Sequence, residues 1–157
     1  MVSALEPLAD HAGRWRGTSR LHDPEAAGPE DSASELTIVP VLGRLFLRVD
    51  YTWSHAGEPQ EGSILLGYEV EPEIVTAHWI DTYHVGDWVM PCRGTADGRG
   101  GVSVRGSYAE PPGPDWHWRI ELSPLSDRRL HLRMTNISPD GREEPAVEAT
   151  YERSASP

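Results

Sequence analysis

The residues best suited to do chemistry lie in segment 74–84, where apolar and polar side chains alternate. Side chains of a strand point alternately to its two faces, so Trp79, Asp81 and Tyr83 share one face. Trp79 needs a core, which predicts that this face points inward. A carboxylate inside a fold must be paired or protonated. The sequence therefore predicts that Asp81 is an interior acid with a dedicated partner.

Arg48, in the neighbouring segment 45–53, is the candidate partner of Asp81, and the alternation of that segment leaves two arrangements open. If the apolar row lines the interior, Arg48 points to solvent and pairs with Asp50 or with nothing. If the polar row lines it, Arg48 and Asp81 form an interior charged patch that suits a ligand carboxylate. The apolar row consists of Leu45, Leu47, Val49, Tyr51 and Trp53.

His84 is the nearest candidate base, but a straight strand places it on the opposite face from Asp81. Only a bulge or the turn at Gly86 brings the two together. The sequence contains no nucleophile elbow, phosphate-binding loop or His-Glu-x-x-His pair. His78 and His84 lie about 20 Å apart along a strand, too far to share a metal. We therefore predict no catalytic residue and no metal site.

Aromatic residues are the next signal, since six tryptophans and five tyrosines accompany one phenylalanine. Tryptophan and tyrosine combine a large apolar surface with a polar tip, which suits the wall of a ligand cavity. The alternative is that they only fill a wide core. The predicted ligand-binding residues are Arg48, Asp50, Tyr68, Trp79, Asp81, Tyr83 and Trp118.

A two-residue apolar period runs through almost the whole chain and predicts about ten strands. Residues 4–11 are predicted to form one helical turn before them. Short gaps rich in glycine, proline and aspartate indicate hairpins, while the longer gap 23–32 is predicted to cross or cover one end of the fold. The predicted strands are 15–22, 34–39, 45–53, 63–70, 74–83, 87–95, 101–108, 116–122, 130–136 and 146–153.

Antiparallel strands without covering helices must form a sandwich or close into a barrel, and closure removes exposed edges. We expect an all-β fold: one closed antiparallel barrel domain spanning residues 1–157, with its core at about 8–153. Ten strands enclose more volume than eight, which predicts an interior cavity. A sandwich is the alternative.

The charge balance argues against nucleic-acid and membrane partners. The net charge is −11 and all fourteen cations are arginine, so no basic stripe is left to bind phosphates. The single cysteine, Cys92, excludes an internal disulfide and fits a reducing compartment. Residues 1–11 lack the basic head and apolar core of a signal peptide, and the sequence contains no run of about 20 apolar residues. These features predict a cytoplasmic protein.

Five tracts together resemble, in order and spacing, a bacterial family known as domain of unknown function 1579. The resemblance covers residues 8–153 and implies a calycin-like barrel, related in shape to lipocalins, fatty-acid-binding proteins and nitrobindins. It implies no activity, and it favours the arrangement with Arg48 inside. The tracts are AGRWRGTSRL, LGRLFLRVDY, GSILLGYE, TAHWID and EATYER.

The calycin-like resemblance also implies how one barrel end closes. Such barrels stack an early tryptophan on an arginine of the last strand, which here implies a cation–π contact of Trp15 with Arg153. Nitrobindins carry haem on a histidine near the C-terminus, and residues 147–153 contain none. We therefore expect no cofactor.

The function predicted first is binding of a small apolar or aromatic molecule in the barrel cavity, with Asp81, Tyr83 and Arg48 orienting its polar end. The second is a cofactor-free isomerase, cyclase or hydrolase that uses the same cavity. The third is a packed barrel whose surface serves a partner. A homodimer through the apolar face of residues 45–53 is a further expectation.

Overall fold

The two-residue alternation of the sequence produces ten antiparallel strands in the computed structural model, which describes residues 3–155. One short helix precedes the strands, as predicted. The elements are α1 (Glu6–Ala9), β1 (Gly13–Leu21), β2 (Glu30–Val41), β3 (Phe46–His55), β4 (Glu58–Glu69), β5 (Ile74–Asp81), β6 (Met90–Ala96), β7 (Val102–Tyr108), β8 (Trp116–Ser126), β9 (Arg129–Ile137) and β10 (Glu143–Arg153).

The strands form a closed barrel in which each strand pairs with its neighbours in sequence and β1 pairs with β10. The predicted barrel is confirmed and the sandwich alternative is wrong. Trp15 and Arg153 are opposite each other in the β1–β10 register. Arg153 Cζ lies 4.6 Å from the centroid of the Trp15 ring, so the cation–π contact implied by the resemblance is present.

The two ends of the barrel differ. In an up-and-down barrel alternate connections lie at the same end. At one end, here called the closed end, Leu8 of α1 and Leu5 just before it are buried, and Arg44 of the β2–β3 turn donates to Glu6 at 2.8 Å. The opposite end, here called the mouth, carries the β5–β6 connection, residues 82–89, and the β7–β8 connection, residues 109–115.

Strand β3 settles which of its two rows points inward. Arg48 and Asp50 lie on the outer surface, where Arg48 Nε donates to Asp50 Oδ2 at 2.9 Å. Of the two arrangements left open by the sequence, the structure shows the one in which Arg48 points to solvent and pairs with Asp50; the arrangement in which Arg48 points inward and pairs with Asp81, which the resemblance favoured, is wrong. Burying each large apolar side chain contributes about 1.5–3 kcal/mol, whereas an inward guanidinium would lose hydration worth several kcal/mol. The buried row is Leu47, Val49, Tyr51 and Trp53.

This burial also corrects the expected dimer surface. The apolar face of residues 45–53 packs inside the barrel, so it is not available to a second copy. Only Leu45, in the turn before β3, stays exposed, at 69%. The reason proposed for a homodimer is thereby removed.

The centre of the barrel is filled by side chains. Trp15, Trp79 and Tyr151 are fully buried within a continuous apolar core. The interior space bordering Tyr51, Asp81 and Tyr151 measures about 10 Å³, roughly the room that one water needs. The ligand-sized cavity expected at the centre is not found there among residues 3–155, because indole, phenol and aliphatic groups occupy the space. Within the same residues, no helix has the length and apolar character needed to span a bilayer.

Candidate functional site at the barrel mouth

Strand β5 ends at Asp81 because this side chain captures the backbone that follows it. Asp81 Oδ1 accepts the backbone N–H groups of Tyr83 and His84, each at 2.8 Å. The Asp81 carbonyl accepts the N–H of Gly86 at 3.0 Å. Gly86 has φ +68°, a left-handed conformation that glycine adopts without strain. The turn folds His84 back over Asp81, although a straight strand would have separated them.

A buried hydrogen-bonded network surrounds Asp81, whose side chain is 1% exposed. His84 Nδ1 lies 3.2 Å from Asp81 Oδ1, and Tyr51 Oη donates to Asp81 Oδ2 at 2.6 Å. Trp79 Nε1 in turn donates to Tyr51 Oη at 2.8 Å. Asp81 is therefore an interior acid with dedicated partners, as the sequence predicted, and those partners are Tyr51 and His84.

The network fixes the charge of Asp81 and the tautomer of His84. Burial raises the pKa of the Asp81 carboxyl, but the hydrogen bonds and charge of His84 and the hydrogen bond from Tyr51 outweigh it, so the pKa lies below its usual 3.8. Burial, and then the Asp81 charge, raise the pKa of Tyr51 well above 10.0. Because Asp81 is an ionised acceptor, Nδ1 of His84 carries the proton. In the neutral ring Nε2 is then an acceptor.

The lowered pKa of Asp81 predicts a specific acid dependence of stability. Asp81 stabilises the fold above the pKa of its unfolded state, 3.8, and this contribution is lost as the pH falls through the lower folded value. We expect the stability difference between the native protein and Asp81→Asn to shrink as the pH falls from 5 to 2, because the native carboxylate becomes protonated in that range. Urea unfolding across that range measures it. A difference that stays constant would contradict the assignment, and Asp50→Asn is the exposed control.

An aromatic plug covers the Asp81 network. The His84 ring lies 5.1 Å from the Trp118 ring, 5.5 Å from Trp53 and 5.9 Å from Trp79, measured between centroids. Trp79 and Trp118 stack on each other at 5.2 Å with 15° between their planes. Tyr83 packs against the His84 ring at 4.9 Å. The plug separates the filled core from the solvent at the mouth.

A pocket of about 600 Å³, here called the mouth pocket, opens on the outer side of this plug. Its volume is within the range usual for small-molecule sites. Residues 82–89 and 109–115 both contribute to its lining, and Trp88, one of the lining residues, is 39% exposed. The lining residues are Trp79, His84, Val85, Trp88, Met90, Ser107, Tyr108, Ala109, Glu110, Asp115 and Trp118.

Trp118 lines this pocket and also carries an unsatisfied donor. The residue is 6% exposed, and its Nε1 is buried without an acceptor among residues 3–155. A buried N–H without a partner costs about 1–3 kcal/mol. A native fold keeps an unpartnered N–H only where another gain offsets its free-energy cost. A hydrogen bond from this N–H to a bound molecule is one such gain.

The structure brings together four of the seven predicted ligand-binding residues, namely Trp79, Asp81, Tyr83 and Trp118. Tyr68 faces inward but lies at the closed end, opposite Val75 and six positions along β4 from Gly62, the partner of Asp81. That separation is about 20 Å, so Tyr68 does not belong to this site.

Arg48 and Asp50 do not belong to the mouth site either. They lie on the outer surface, where Asp50 borders a groove of about 410 Å³ and also accepts a hydrogen bond from Ser63 at 2.7 Å. Within residues 3–155 no three side chains of the metal-binding types come together.

Sequence reasoning missed several residues of the mouth pocket for one topological reason. The alternation of side chains places residues only within strands, whereas Glu110 and Asp115 lie in the β7–β8 connection. In an up-and-down barrel the β5–β6 and β7–β8 connections lie at the same end. The predicted order of ten strands was therefore enough to place these two connections near each other. His84 was considered as a base and left out because strand parity places it opposite Asp81, and the turn at Gly86, named as one way to bring the two together, does so.

A solved structure shares the fold. The crystal structure of Rv2717c from M. tuberculosis superposes with a TM-score of 0.66 at 14% identity, covering 98% of this chain and 99% of that one. A Thermobifida fusca YX structure, provisionally named a thioesterase II, gives a TM-score of 0.26 at 9% identity, covering 92% of this chain and 80% of that one. No curated protein matches the sequence. The model of a family described as "protein of unknown function (DUF1579)" matches residues 4–153, and the chain therefore belongs to that family.

Proposed function

We propose that the protein binds a small molecule with a flat apolar body in the mouth pocket. The observation that carries this proposal is the buried Nε1 of Trp118, a donor without an acceptor on a residue that lines a pocket of about 600 Å³. An acceptor on the ligand would satisfy it. The apolar body would lie against the exposed ring of Trp88, whose contact with water is unfavourable.

The plug supports this proposal because it gives the pocket a rigid floor. Trp79 is held by its hydrogen bond to Tyr51, and Trp118 is held by stacking on Trp79. Side chains fixed in this way lose little conformational freedom when a ligand binds. The calycin-like relation, proposed here as structural kinship alone, is supported by the Trp15–Arg153 contact.

Prodan, a neutral naphthalene with a ketone oxygen, tests the proposal. We expect prodan to bind with a blue-shifted emission, and Trp118→Phe to weaken binding about fivefold, because one neutral hydrogen bond contributes about 0.5–1.5 kcal/mol. Trp116→Phe is the matched control, since Trp116 precedes Trp118 on β8 and does not line the mouth pocket. Absence of binding, or equal weakening by both variants, would refute the proposal.

A second candidate function is general-base catalysis by His84. Asp81 holds the imidazole through Nδ1, which leaves Nε2 as the acceptor of a ring that lines the mouth pocket. A carboxylate that orients a histidine in this way is a common arrangement in enzymes that move protons. Proposed here is proton abstraction from a bound carbon acid, with His84 as the base and Asp81 as its positioning residue.

The Kemp elimination of 5-nitrobenzisoxazole tests this base directly. Nε2 would take the ring C–H proton, the electron pair would form the nitrile, and the N–O bond would break to release a coloured phenolate. We expect a rate above that of free imidazole at equal concentration, lost in His84→Gln while prodan still binds. His78→Gln, on the outer face of β5, is the control. Equal rates for both variants would exclude His84 as the base.

A further inference from the structure

The walls of the mouth pocket combine carboxylates with aromatic rings. Glu110 and Asp115 line its edge, and neither has an ion-pair partner in the described part of the chain. None of its lining residues is an arginine, and the chain contains no lysine. Glu110 and Asp115 therefore contribute a negative potential to the edge of the pocket, within a protein whose net charge is −11.

The aromatic side chains strengthen that potential. Indole and phenol rings carry negative charge density on their faces, and they attract cations that lie within about 6 Å. The lining rings come from Trp79, Trp88, Tyr108 and Trp118.

Glu110 acts on the same wall as these rings. Burial raises the pKa of the Tyr108 phenol, its hydrogen bond to Asn136 lowers it, and the charge of Glu110 raises it again. Tyr108 Oη donates to Asn136 Oδ1 at 2.6 Å, which fixes the ring beside the pocket. The Glu110 carboxylate and the Tyr108 ring therefore both face the mouth pocket.

We propose that the ligand of the mouth pocket is an organic cation: an ammonium group held by Glu110, Asp115 and the aromatic faces, on a body with an acceptor for Trp118 Nε1. This inference rests on the proposed function, because it concerns the same pocket. It excludes ligands of the fatty-acid type, since the guanidinium expected to hold a carboxylate, that of Arg48, lies on the outer surface.

Three ligands of one shape and different charge separate this inference from the proposed function. They are 3-hydroxyphenyltrimethylammonium, its neutral isostere 3-tert-butylphenol and the anion 3-hydroxybenzenesulfonate, each titrated against prodan-loaded protein. All three carry a hydroxyl that can accept from Trp118. We expect the cation to bind at least tenfold more tightly than the neutral compound, and the anion most weakly. The advantage of the cation should fall as salt is added, because the carboxylates are exposed.

The variant Glu110→Gln/Asp115→Asn assigns the effect to the pocket. We expect it to weaken binding of the cation about fivefold and to leave that of 3-tert-butylphenol unchanged. The control Glu71→Gln/Glu73→Gln removes the same charge in the β4–β5 turn at the closed end. Equal affinities of cation and neutral isostere, or equal losses in both double variants, would overturn the cation inference while prodan binding persists. Failure of prodan itself to bind would overturn the proposed function.

Discussion

Replacing Asp81 with alanine is expected to lower the free energy of unfolding by about 3–5 kcal/mol. The carboxylate accepts hydrogen bonds from the Tyr51 hydroxyl, from His84 Nδ1 and from the backbone N–H groups of Tyr83 and His84. Alanine leaves these donors buried or half-buried without acceptors. It also removes the cap that starts the turn after β5, so the wall of the mouth pocket should loosen as well.

Chemical denaturation with a second substitution as control measures this effect. Asp50→Ala removes a carboxylate that is 40% exposed and paired with Arg48 on the outer surface, which should cost at most about 1 kcal/mol. The loss of unfolding free energy for Asp81→Asn should lie between those of the two alanine variants. The amide oxygen of asparagine can still accept the backbone N–H groups, whereas its NH₂ group cannot accept from Tyr51. Similar losses for Asp81→Ala and Asp50→Ala would show that the network contributes little.

The barrel could be predicted from the sequence because alternation is a local property. Each strand needs only one row of apolar side chains, and the pairing of Trp15 with Arg153 follows once the first and last strands meet. Strand β3 shows where the family resemblance misled. Its alternation alone left both faces open, and the larger apolar row, containing Tyr51 and Trp53, is the row that the core buries.

The candidate site could be predicted only in part because it depends on a turn and on long-range contacts. Asp81 was predicted to be interior from the position of Trp79, two residues earlier. Its partners were not predictable: Tyr51 lies thirty residues away, and His84 arrives through a turn that Asp81 itself caps. The interior cavity predicted from the number of strands is also not found. The number of strands sets the volume that the backbone encloses, whereas the size of the side chains sets the volume that stays empty.

The filled centre changes how the barrel can serve a ligand. In a hollow barrel the strands themselves would contact the ligand, whereas here the network of Tyr51, Trp79 and Asp81 lies between the core and the mouth pocket. The polar groups of this network hydrogen-bond to one another. They therefore fix the side chains beneath the mouth pocket and are not left to bind a ligand. Contact with the proposed ligand would then fall to the rings of Trp79, His84 and Trp118 and to the two connections at the mouth, where sequence can change without loss of the core.

Replacing Gly17 with alanine is expected to lower the free energy of unfolding by about 3 kcal/mol or more. Gly17 lies opposite Tyr151 where β1 closes the barrel against β10. An alanine Cβ there would overlap the Thr150 carbonyl oxygen and lie 2.9 Å from Tyr151 Cα, so only a shift of the strand backbone could relieve it. Gly28→Ala is the control, because a Cβ at Gly28 meets nothing within 4 Å. Thermal and urea unfolding measure both variants, and equal stabilities would contradict the close approach of β1 and β10 at the seam.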